Sequence, residues 1–172
     1  MLIIICGLPG VGKSTVGKIL RAKLKEQMID SDQLKPTKKI LEELKNKSFW
    51  AKEVKTSVYN TLFSNGAKRL INGQSVILNA TFFKKIYIEQ AKKLAKLFKA
   101  KFYIIEVKCD EEIVKSRIEK RYKAGESEVT MKTYHIIEAK FEPITEKKFV
   151  IDNSGDKIEL EKQVNLIIKK IK

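Results

Sequence analysis

The sequence predicts a three-layer α/β fold, in which a parallel sheet of five strands lies between two layers of helices. Two observations support this prediction. Short apolar runs alternate with segments of helical periodicity along all 172 residues, and such alternation is typical of parallel sheets with right-handed crossovers. Polar residues also follow the apolar runs, at the points where strands should end. In parallel sheets, ligands bind beyond these carboxyl ends.

The first half of the chain opens with the apolar run Leu2–Cys6, which predicts the first strand. Apolar residues at helical spacing, from Val16 to Leu24, predict the helix that follows. A lysine-rich stretch broken by Pro36 separates a very short second strand from a long helix that Asn72-Gly73 closes. After the first strand we expect a helix over 14–27, a strand over 28–32, the lysine-rich stretch over 33–47 and the long helix over 49–71.

The second half repeats the alternation and closes with a helix. Acidic residues open the helix that starts at Asp110, and Pro143 follows the end of another helix. The expected strands are 75–79, 101–107 and 148–151, and the expected helices are 84–99, 110–122, 130–140 and 158–171. The chain shows no internal repeat, no low-complexity tract and no linker. We therefore expect one domain over residues 1–172.

The stretch from Gly7 to Ser14 matches G-x-x-x-x-G-K-[ST] and lies between the first strand and the first helix. Backbone N–H groups around its glycines can surround a β-phosphate, and the helix directs its positive end to the same oxygens. Lys13 can reach the β- and γ-phosphates, and the Ser14 hydroxyl can hold Mg²⁺. This motif predicts a nucleoside triphosphate site. Its expected ATP-binding residues are Leu8, Pro9, Gly10, Val11, Gly12, Lys13, Ser14 and Thr15.

Basic residues give the chain a net charge of +15, which favours an anionic partner such as nucleic acid. Lysine accounts for 32 of the 36 basic residues, a bias that an AT-rich genome or adaptation to heat would also produce. The acidic residues do not balance the lysines, so ion pairing alone does not explain the excess. Charge alone leaves both explanations open.

No apolar stretch approaches the roughly 20 residues of a membrane-spanning helix, and the first residues lack the basic start of a signal peptide. Cys6 and Cys109 lie in or next to apolar strand-like runs and have no metal-type spacing. They are typical of buried thiols in a reduced protein. We therefore expect a cytoplasmic location and no membrane partner.

Many classes of protein bind nucleoside triphosphates, so other residues must indicate the class. The D-x-x-G sequence that begins at Asp152 follows the last strand instead of a central one, and Asn46-Lys47 lacks the aspartate of a guanine-binding N-K-x-D. A translocase would normally show an acidic pair at the end of the strand over 75–79, which ends instead in neutral Asn79. These absences favour a kinase.

A kinase for an alcohol must position a hydroxyl, accept its proton and neutralise charge on the transferring phosphoryl group. Asp32, or else Asp30, follows the strand next to the phosphate loop and can accept that proton. Either carboxylate could instead cap a helix or orient waters around Mg²⁺. Lys35 could face the same cleft or be one more solvated lysine.

Arg117 and Arg121 are two of only four arginines in the chain. They are four residues apart on a predicted helix, so they share one face that leads into a glycine-containing loop. Arginine binds phosphate through two N–H groups at once. The pair therefore predicts a phosphate clamp beside a lid over about residues 122–130; pairing with Glu119 or Glu126 is the alternative.

Together these residues resemble a family of small P-loop kinases that includes polynucleotide 5′-hydroxyl kinase domains, with zeta-toxin-like and gluconate kinases as relatives. The resemblance covers nearly the whole chain and implies a three-layer P-loop NTPase fold, similar to nucleotide kinases, with a short lid. The matching motifs are Gly7 to Thr15, Ser31-Asp32-Gln33-Leu34-Lys35 (similar to Ser-Asp-x-x-Arg), Asn79-Ala80-Thr81-Phe82 (similar to Asp-Ala-Thr-Phe), the arginine pair, and residues 134–144 with Phe141-Glu142-Pro143-Ile144.

The resemblance implies that Asp32 activates the acceptor hydroxyl. It also implies that Arg117 and Arg121 clamp ATP, one of them stabilising the transferring phosphoryl group. Asp152–Ser154 would lie near the adenine, and Asn153 is expected to bind ATP. The expected catalytic residues are Lys13, Asp32, Arg117 and Arg121, and the expected acceptor contacts are Asp32, Lys35, Thr81 and Lys84. Two positions depart from the family pattern: Lys35 replaces an acceptor-gripping arginine, and Asn79 replaces an aspartate that organises Mg²⁺-bound waters. We hypothesise that Asp30 or Asp32 compensates for Asn79.

The expected function is an ATP-dependent kinase that uses ATP and Mg²⁺ to phosphorylate a hydroxyl acceptor. Lysines from Lys35 to Lys55, with Phe49 and Trp50, suit an anionic acceptor such as an RNA or DNA 5′ end. A nucleotide or a phosphorylated small molecule suits them equally, and a solvated helix with both aromatics in the core would explain them as well. The alternatives are a small-molecule kinase and a non-catalytic ATP-binding switch or RNA-binding protein.

Overall fold

The computed structural model describes residues 1–34 and 52–172. Within these ranges the chain forms five β-strands, six α-helices and one 3₁₀ helix, Ser31–Leu34. The strands are β1 (Leu2–Cys6), β2 (Gln27–Asp30), β3 (Val76–Asn79), β4 (Phe102–Lys108) and β5 (Phe149–Asp152). The helices are α1 (Lys13–Leu24), α2 (Lys52–Ile71), α3 (Lys85–Leu97), α4 (Glu111–Lys123), α5 (Met131–Glu138) and α6 (Lys157–Ile171).

The five strands form one parallel sheet in the order β2-β3-β1-β4-β5. The central strand, β1, pairs with β3 on one side and β4 on the other, and all five of its residues are buried. A strand covered on both faces has no solvent side, which explains its unbroken apolar run. The predicted α/β class and parallel five-stranded sheet are confirmed.

Alternate residues of β1 belong to two separate apolar clusters, one on each face of the sheet. Leu2, Ile4 and Cys6 pack with buried residues of α2 and α3. Ile3 and Ile5 pack with buried residues of α1, α4 and α6. The period of two along a strand therefore divides the core into two halves, and the three layers follow from it.

The helix boundaries differ from the predicted ones by a few residues. The first helix ends at Leu24 instead of residue 27, because Lys25 adopts a left-handed conformation with φ of 56° and its N–H bonds to the Arg21 carbonyl. Strand β2 therefore begins at Gln27, one residue earlier than predicted. The helix that follows the glycine loop begins after the Thr130 cap and ends at Glu138 instead of residue 140.

Part of the predicted lysine-rich stretch, from residue 35 onward, lies outside the described residues, as does the predicted helix before residue 52. Lys35, Phe49 and Trp50 therefore keep the status of sequence predictions. In the described ranges, no helix has both the length and the apolar character that crossing a bilayer requires.

Candidate functional site

The phosphate loop connects the end of β1 to the start of α1 at the centre of the sheet. Gly7 has a φ of 139°, and a Cβ atom there would overlap the carbonyl oxygen of Val107 on β4. Gly12 has a φ of 94°, and a Cβ atom there would overlap the side-chain amide of Asn153. The loop can pack this closely against its neighbours only because both positions lack a side chain.

Helix α1 starts at Lys13, directly after Gly12, so its free N–H groups and positive end point toward the loop. The Lys13 ammonium folds over the loop and donates a hydrogen bond from Nζ to the Leu8 carbonyl oxygen at 2.9 Å. Backbone N–H groups, a helix start and an ammonium thus surround one small space, and this is the chemistry that binds a phosphate chain.

Three polar side chains meet beneath the start of α1. Ser14 Oγ donates to Asp30 Oδ2 at 2.9 Å, and Asn79 Nδ2 donates to the same carboxylate oxygen at 2.7 Å and to Ser14 Oγ at 3.1 Å. The sheet register brings them together, because Asp30 and Asn79 are partners at the ends of β2 and β3. Asp30 is 7% exposed and Asn79 is 1% exposed. A buried carboxylate therefore stands beside the Ser14 hydroxyl.

This cluster fits a magnesium ion that is also held by phosphate oxygens. Its groups are oxygen donors of the kind that Mg²⁺ prefers, a hydroxyl and a carboxylate. Asn79 Oδ1 is buried and has no hydrogen-bond partner among the described residues. The described ranges hold no cluster of three or more His, Cys, Asp or Glu side chains that could bind a metal unaided. An ion at this position would depend on the nucleotide for its remaining ligands.

Asp30 and Asp32 point in different directions although they are two residues apart. The backbone N–H of Asp32 donates to Asp30 Oδ1 at 3.0 Å, which forms an Asx turn at the end of β2. This turn keeps the Asp30 carboxylate under α1, whereas Asp32 is exposed and lines the cleft above the sheet. The two carboxylates are therefore available for separate tasks.

Arg117 and Arg121 both line the cleft from α4. Arg117 is held in place, because Nη1 bonds to Cys109 Sγ at 3.3 Å and Nη2 to the Asn153 carbonyl oxygen at 3.2 Å. Arg121 is exposed beside the turn that contains Gly125. Among the described carboxylates, none forms an ion pair with either arginine.

Asn153 lies below the phosphate loop. Its side chain is buried, and Nδ2 donates to the Val11 carbonyl oxygen at 2.8 Å. It supports the loop from beneath and is not among the residues that line the cleft. Leu8 and Val11 also lie in the loop without lining the cleft, and their carbonyl groups accept the bonds from Lys13 and Asn153.

The cleft has a volume of about 550 Å³ and opens at the carboxyl ends of β1, β2 and β3. It brings together most of the site residues that the sequence predicts. The predicted residues that line it are Pro9, Gly10, Gly12, Lys13, Ser14, Thr15, Asp32, Thr81, Arg117 and Arg121. Lys84 lies just outside, with its Nζ 6.0 Å from the centroid of the Phe83 ring.

The sequence does not predict the apolar residues on the α2 side of the cleft, which we call the far wall, although Lys55 belongs to the lysines expected to suit an anionic acceptor. Val58, Tyr59 and Phe83 contribute apolar surface there, and Lys55 contributes a cation. Burial lowers the pKa of Lys55, and the nearby ammonium groups of Lys140 and Lys84 lower it further. The available signal was the spacing of Lys55 and Tyr59, which are four apart and share one face of α2.

Comparison with known proteins supports this description of the fold. A family model described as an AAA domain, AAA_33, matches residues 2–144. No curated protein matches the chain. Among solved structures, a gluconokinase from Sinorhizobium meliloti is 15% identical with a TM-score of 0.75, over 98% of this chain and 91% of that chain.

Two further solved structures contain bound ligands. Kti12 from Chaetomium thermophilum, in complex with ADP-AlF3, is 16% identical with a TM-score of 0.74 over 100% of both chains. The APS kinase CysC from Mycobacterium tuberculosis, in complex with AMPPNP and APS, is 16% identical with a TM-score of 0.69, over 99% of this chain and 96% of that chain. The family model covers most of the sequence, and the phosphate loop joins the strand and helix that this fold requires. The chain therefore belongs to the AAA_33 family of AAA domains and has the fold of the small P-loop kinases.

Proposed function

We propose that this protein is an ATP-dependent kinase that transfers the γ-phosphoryl group of ATP to a hydroxyl acceptor. The observation that carries the proposal is that Lys13, Asp32 and the arginines of α4 line one cleft. Phosphoryl transfer needs a cation at the phosphates, a base at the attacking hydroxyl and positive charge on the transferring group. The cleft contains a residue for each of these needs.

The phosphate loop binds the phosphate chain of ATP through backbone N–H groups, and Lys13 neutralises its charge. Magnesium, held through Ser14, would supply charge neutralisation at the phosphate oxygens. Asp30 accepts the Ser14 hydrogen bond and so orients its hydroxyl. Asn79 keeps the Asp30 carboxylate in place through its amide. In this assignment Asp30 compensates for the neutral residue at position 79.

Asp32 accepts the proton of the acceptor hydroxyl. Asp32 is exposed, lines the cleft and is separated from the buried Asp30 by the Asx turn, so it lies where an acceptor would bind. A carboxylate in this position would also hold the hydroxyl in line with the phosphoryl group. Arg121 stabilises the transferring phosphoryl group from the exposed end of α4, where the lid over about residues 122–130 begins. Arg117, which is already bonded to Cys109 and Asn153, contacts ATP beside the loop.

The names of the solved structures are consistent with this function but do not agree on an acceptor. A gluconokinase and an APS kinase act on different small molecules, and Kti12 was solved with ADP-AlF3. We propose that the acceptor here is a nucleic-acid 5′-hydroxyl or a nucleotide, because the net charge is +15 and the far wall of the cleft carries the cation of Lys55.

An acceptor screen tests the kinase proposal. Purified protein is incubated with γ-labelled ATP, Mg²⁺ and four acceptor classes: 5′-hydroxyl oligonucleotides, nucleosides and their 3′-monophosphates, sugars and sugar phosphates, and total RNA. We expect label in one class. Asp32→Asn should lower kcat for that acceptor by roughly 100-fold or more, the usual contribution of a general base, while the Kd for ATP changes little. Lys13→Ala should abolish ATP binding.

The matched control is Lys23→Ala, because Lys23 is exposed on α1 away from the cleft. Transfer by this variant should equal that of the unmodified protein. The proposal is wrong if ATP binds with Mg²⁺ but no acceptor class receives label, or if Asp32→Asn transfers at the original rate.

A second candidate function is a non-catalytic ATP-dependent switch. The observation that favours it is neutral Asn79 at the end of β3, a position where an acidic side chain would organise Mg²⁺-bound waters. A switch should bind ATP in a Lys13-dependent way and transfer no label to any acceptor. The same screen therefore separates the two functions.

A further inference from the structure

Three lysines from three separate elements gather near the far wall of the cleft, and of these three Lys55 alone lines the cleft itself. Lys55 lies on α2, Lys84 lies before α3, and Lys140 follows α5. The Nζ atoms of Lys55 and Lys84 are 4.6 Å and 6.0 Å from the centroid of the same ring, that of Phe83. Lys140 is close enough to Lys55 to affect its ionisation. We call Lys55, Lys84 and Lys140 the lysine cluster.

The backbone around Phe83, the ring that Lys55 and Lys84 share, is held in position by hydrogen bonds on both sides. The backbone N–H of Phe82 donates to Tyr59 Oη at 2.8 Å, and Tyr59 lies one turn after Lys55 on α2. On the other side, the N–H of Glu142 donates to the Phe83 carbonyl oxygen at 2.9 Å, and the N–H of Lys85 donates to Glu142 Oε2 at 2.7 Å. The segment that carries Phe83 is therefore tied to both neighbouring elements.

Bringing cations together has an electrostatic cost. Lys55 is partly buried and faces Phe83, and its pKa is lowered first by burial and then by Lys140 and Lys84. In the described ranges no carboxylate forms an ion pair with Lys84 or Lys140. An arrangement of like charges around a cleft is stabilised when an anion binds there. The proposed phosphoryl donor occupies the opposite side of the cleft, beside Lys13.

We propose that the lysine cluster binds a phosphate group already present on the acceptor, so that the substrate is a phosphorylated molecule with a free hydroxyl. This inference rests on the proposed kinase function and assigns its substrate class. Ammonium groups that lie near one another suit a phosphate, which offers several acceptor oxygens. The phosphate can belong to a nucleotide or nucleic-acid chain or to a sugar phosphate, and Phe83 supplies an apolar surface for either.

Binding to the acceptor side can be measured apart from turnover. The donor site is first saturated with AMPPNP and Mg²⁺, and this step is itself measured by calorimetry. Two matched pairs are then titrated: cytidine 3′-monophosphate against cytidine, and glucose 6-phosphate against glucose. We expect the phosphorylated member of one pair to bind at least about tenfold more tightly than its neutral partner, the effect of one charge-assisted contact. The pair that responds identifies the source of the phosphate.

Replacing a lysine with methionine removes the charge and keeps the apolar stem of the side chain. The substitutions are made singly and in combination: Lys55→Met, Lys84→Met and Lys140→Met. We expect the combined variant to lose the tenfold preference and, in turnover, to raise KM for the phosphorylated acceptor while KM for ATP is unchanged. Lys92→Met is the matched control, because Lys92 is exposed on α3 and does not line the cleft. Unchanged AMPPNP binding shows that each variant is folded.

The possible results distinguish failure of this inference from failure of the kinase proposal. Equal binding of phosphorylated and neutral members, or no binding of any phosphorylated probe, overturns the inference. The inference is also overturned if the combined variant binds the phosphorylated probe as tightly as the original protein does. A third contrary result would be equal transfer of phosphate from ATP to neutral and phosphorylated acceptors, and this result would still support the kinase function. A phosphorylated probe that binds through the cluster, while no acceptor class in the screen receives label, supports the anion site and contradicts the kinase.

Discussion

At the scale of single residues, the proposed chemistry depends on two aspartates that one turn directs to different places. Asp30 is buried against Ser14 and Asn79, whereas Asp32 is exposed in the cleft. The hydrogen bond from the Asp32 backbone N–H to Asp30 Oδ1 closes the turn that separates the two side chains. A D-x-D sequence at the end of a strand can therefore provide one carboxylate for a metal site and another for an acceptor.

Asp30→Asn tests the proposed metal role. Asparagine keeps the shape of the side chain but removes the charge and one of the two acceptor oxygens. We expect the affinity for Mg²⁺, measured by titration of ATP binding with Mg²⁺, to fall roughly 10- to 100-fold, the usual cost of losing a group that orients a metal ligand. Affinity for ATP without metal should change much less.

Asp156→Asn is the matched control for that substitution. Asp156 caps α6 by accepting a hydrogen bond from the Glu159 N–H, and asparagine caps helices equally well. The control should leave the Mg²⁺ titration unchanged. If Asp30→Asn also left it unchanged, the cluster around Ser14 would have no part in holding the ion.

The sequence predicts which residues form the site, but not all of the contacts that they make. The motif itself predicts Lys13 and Ser14, and the strand end predicts an aspartate at the cleft. The burial of Asp30 beside Ser14 could not be predicted, because it depends on the pairing of β2 with β3, which brings Asp30 next to Asn79. Asn153 was expected near the adenine, and its bond to the Val11 carbonyl oxygen could be seen only in three dimensions.

At the scale of secondary-structure elements, the shape of the phosphate loop is restricted by β4, which passes close behind it. The hydrogen bond from the Gly7 N–H to the Thr81 carbonyl oxygen, at 3.2 Å, ties the loop to the exit of β3. On the other side, Val107 of β4 leaves no room for a side chain at position 7. The loop is thus confined between its two neighbouring strands.

Gly7→Ala should destabilise the fold more than the same change at Gly73. Both glycines have positive φ, but a Cβ atom at Gly73, after α2, would meet nothing within 4 Å. We expect Gly73→Ala to cost about 1–2 kcal/mol of unfolding free energy, from backbone strain alone. Gly7→Ala adds a clash with a backbone oxygen that cannot turn away, and should cost about 3 kcal/mol or more.

Denaturant unfolding measures both variants, and calorimetry measures their ATP affinity. Gly73→Ala should bind ATP normally, whereas Gly7→Ala should bind it weakly or not at all. Equal losses of unfolding free energy in the two variants would mean that the loop is not packed against β4.

The elements themselves were predicted well, and their ends less well. Unbroken apolar runs predict β1 and β3 because buried central strands have no polar face. The end of α1 was missed because Lys25 takes a left-handed conformation, which no sequence pattern marks when the residue is not glycine. The cap at Thr130 follows the usual preference, and its side chain accepts a bond from the Thr133 N–H.

At the scale of the whole molecule, the cleft is assembled from segments that are far apart in the sequence. The phosphate loop comes from the start of the chain, Thr81 from the segment after β3, and Arg117 from α4. Sequence patterns cannot predict the lysine cluster for the same reason, since its members meet only after α2, α3 and α5 have packed. A site built in this way exists only in the folded protein.

A ligand that binds only the folded chain must therefore raise its stability. At a concentration of 100 times Kd, Mg²⁺ and ATP should add about 2.7 kcal/mol of unfolding free energy. For a chain of this size that corresponds to an increase in Tm of roughly 5–10 °C. Thermal unfolding with and without ATP measures the increase. EDTA should remove most of this increase in Tm. The proposed magnesium ion at Ser14 depends on the nucleotide for its remaining ligands, and the nucleotide depends on the ion to neutralise its charge.

Lys13→Ala should show no increase in Tm with ATP, whereas Lys23→Ala should show the full increase. Comparison of these two variants distinguishes binding of ATP at the phosphate loop from a general effect of polyanions on a chain with a net charge of +15. Tripolyphosphate without a nucleoside extends the comparison. If it raised Tm as much as ATP did, and did so equally in both variants, the stabilisation would come from the lysine-rich surface, and the phosphate loop would not be its source.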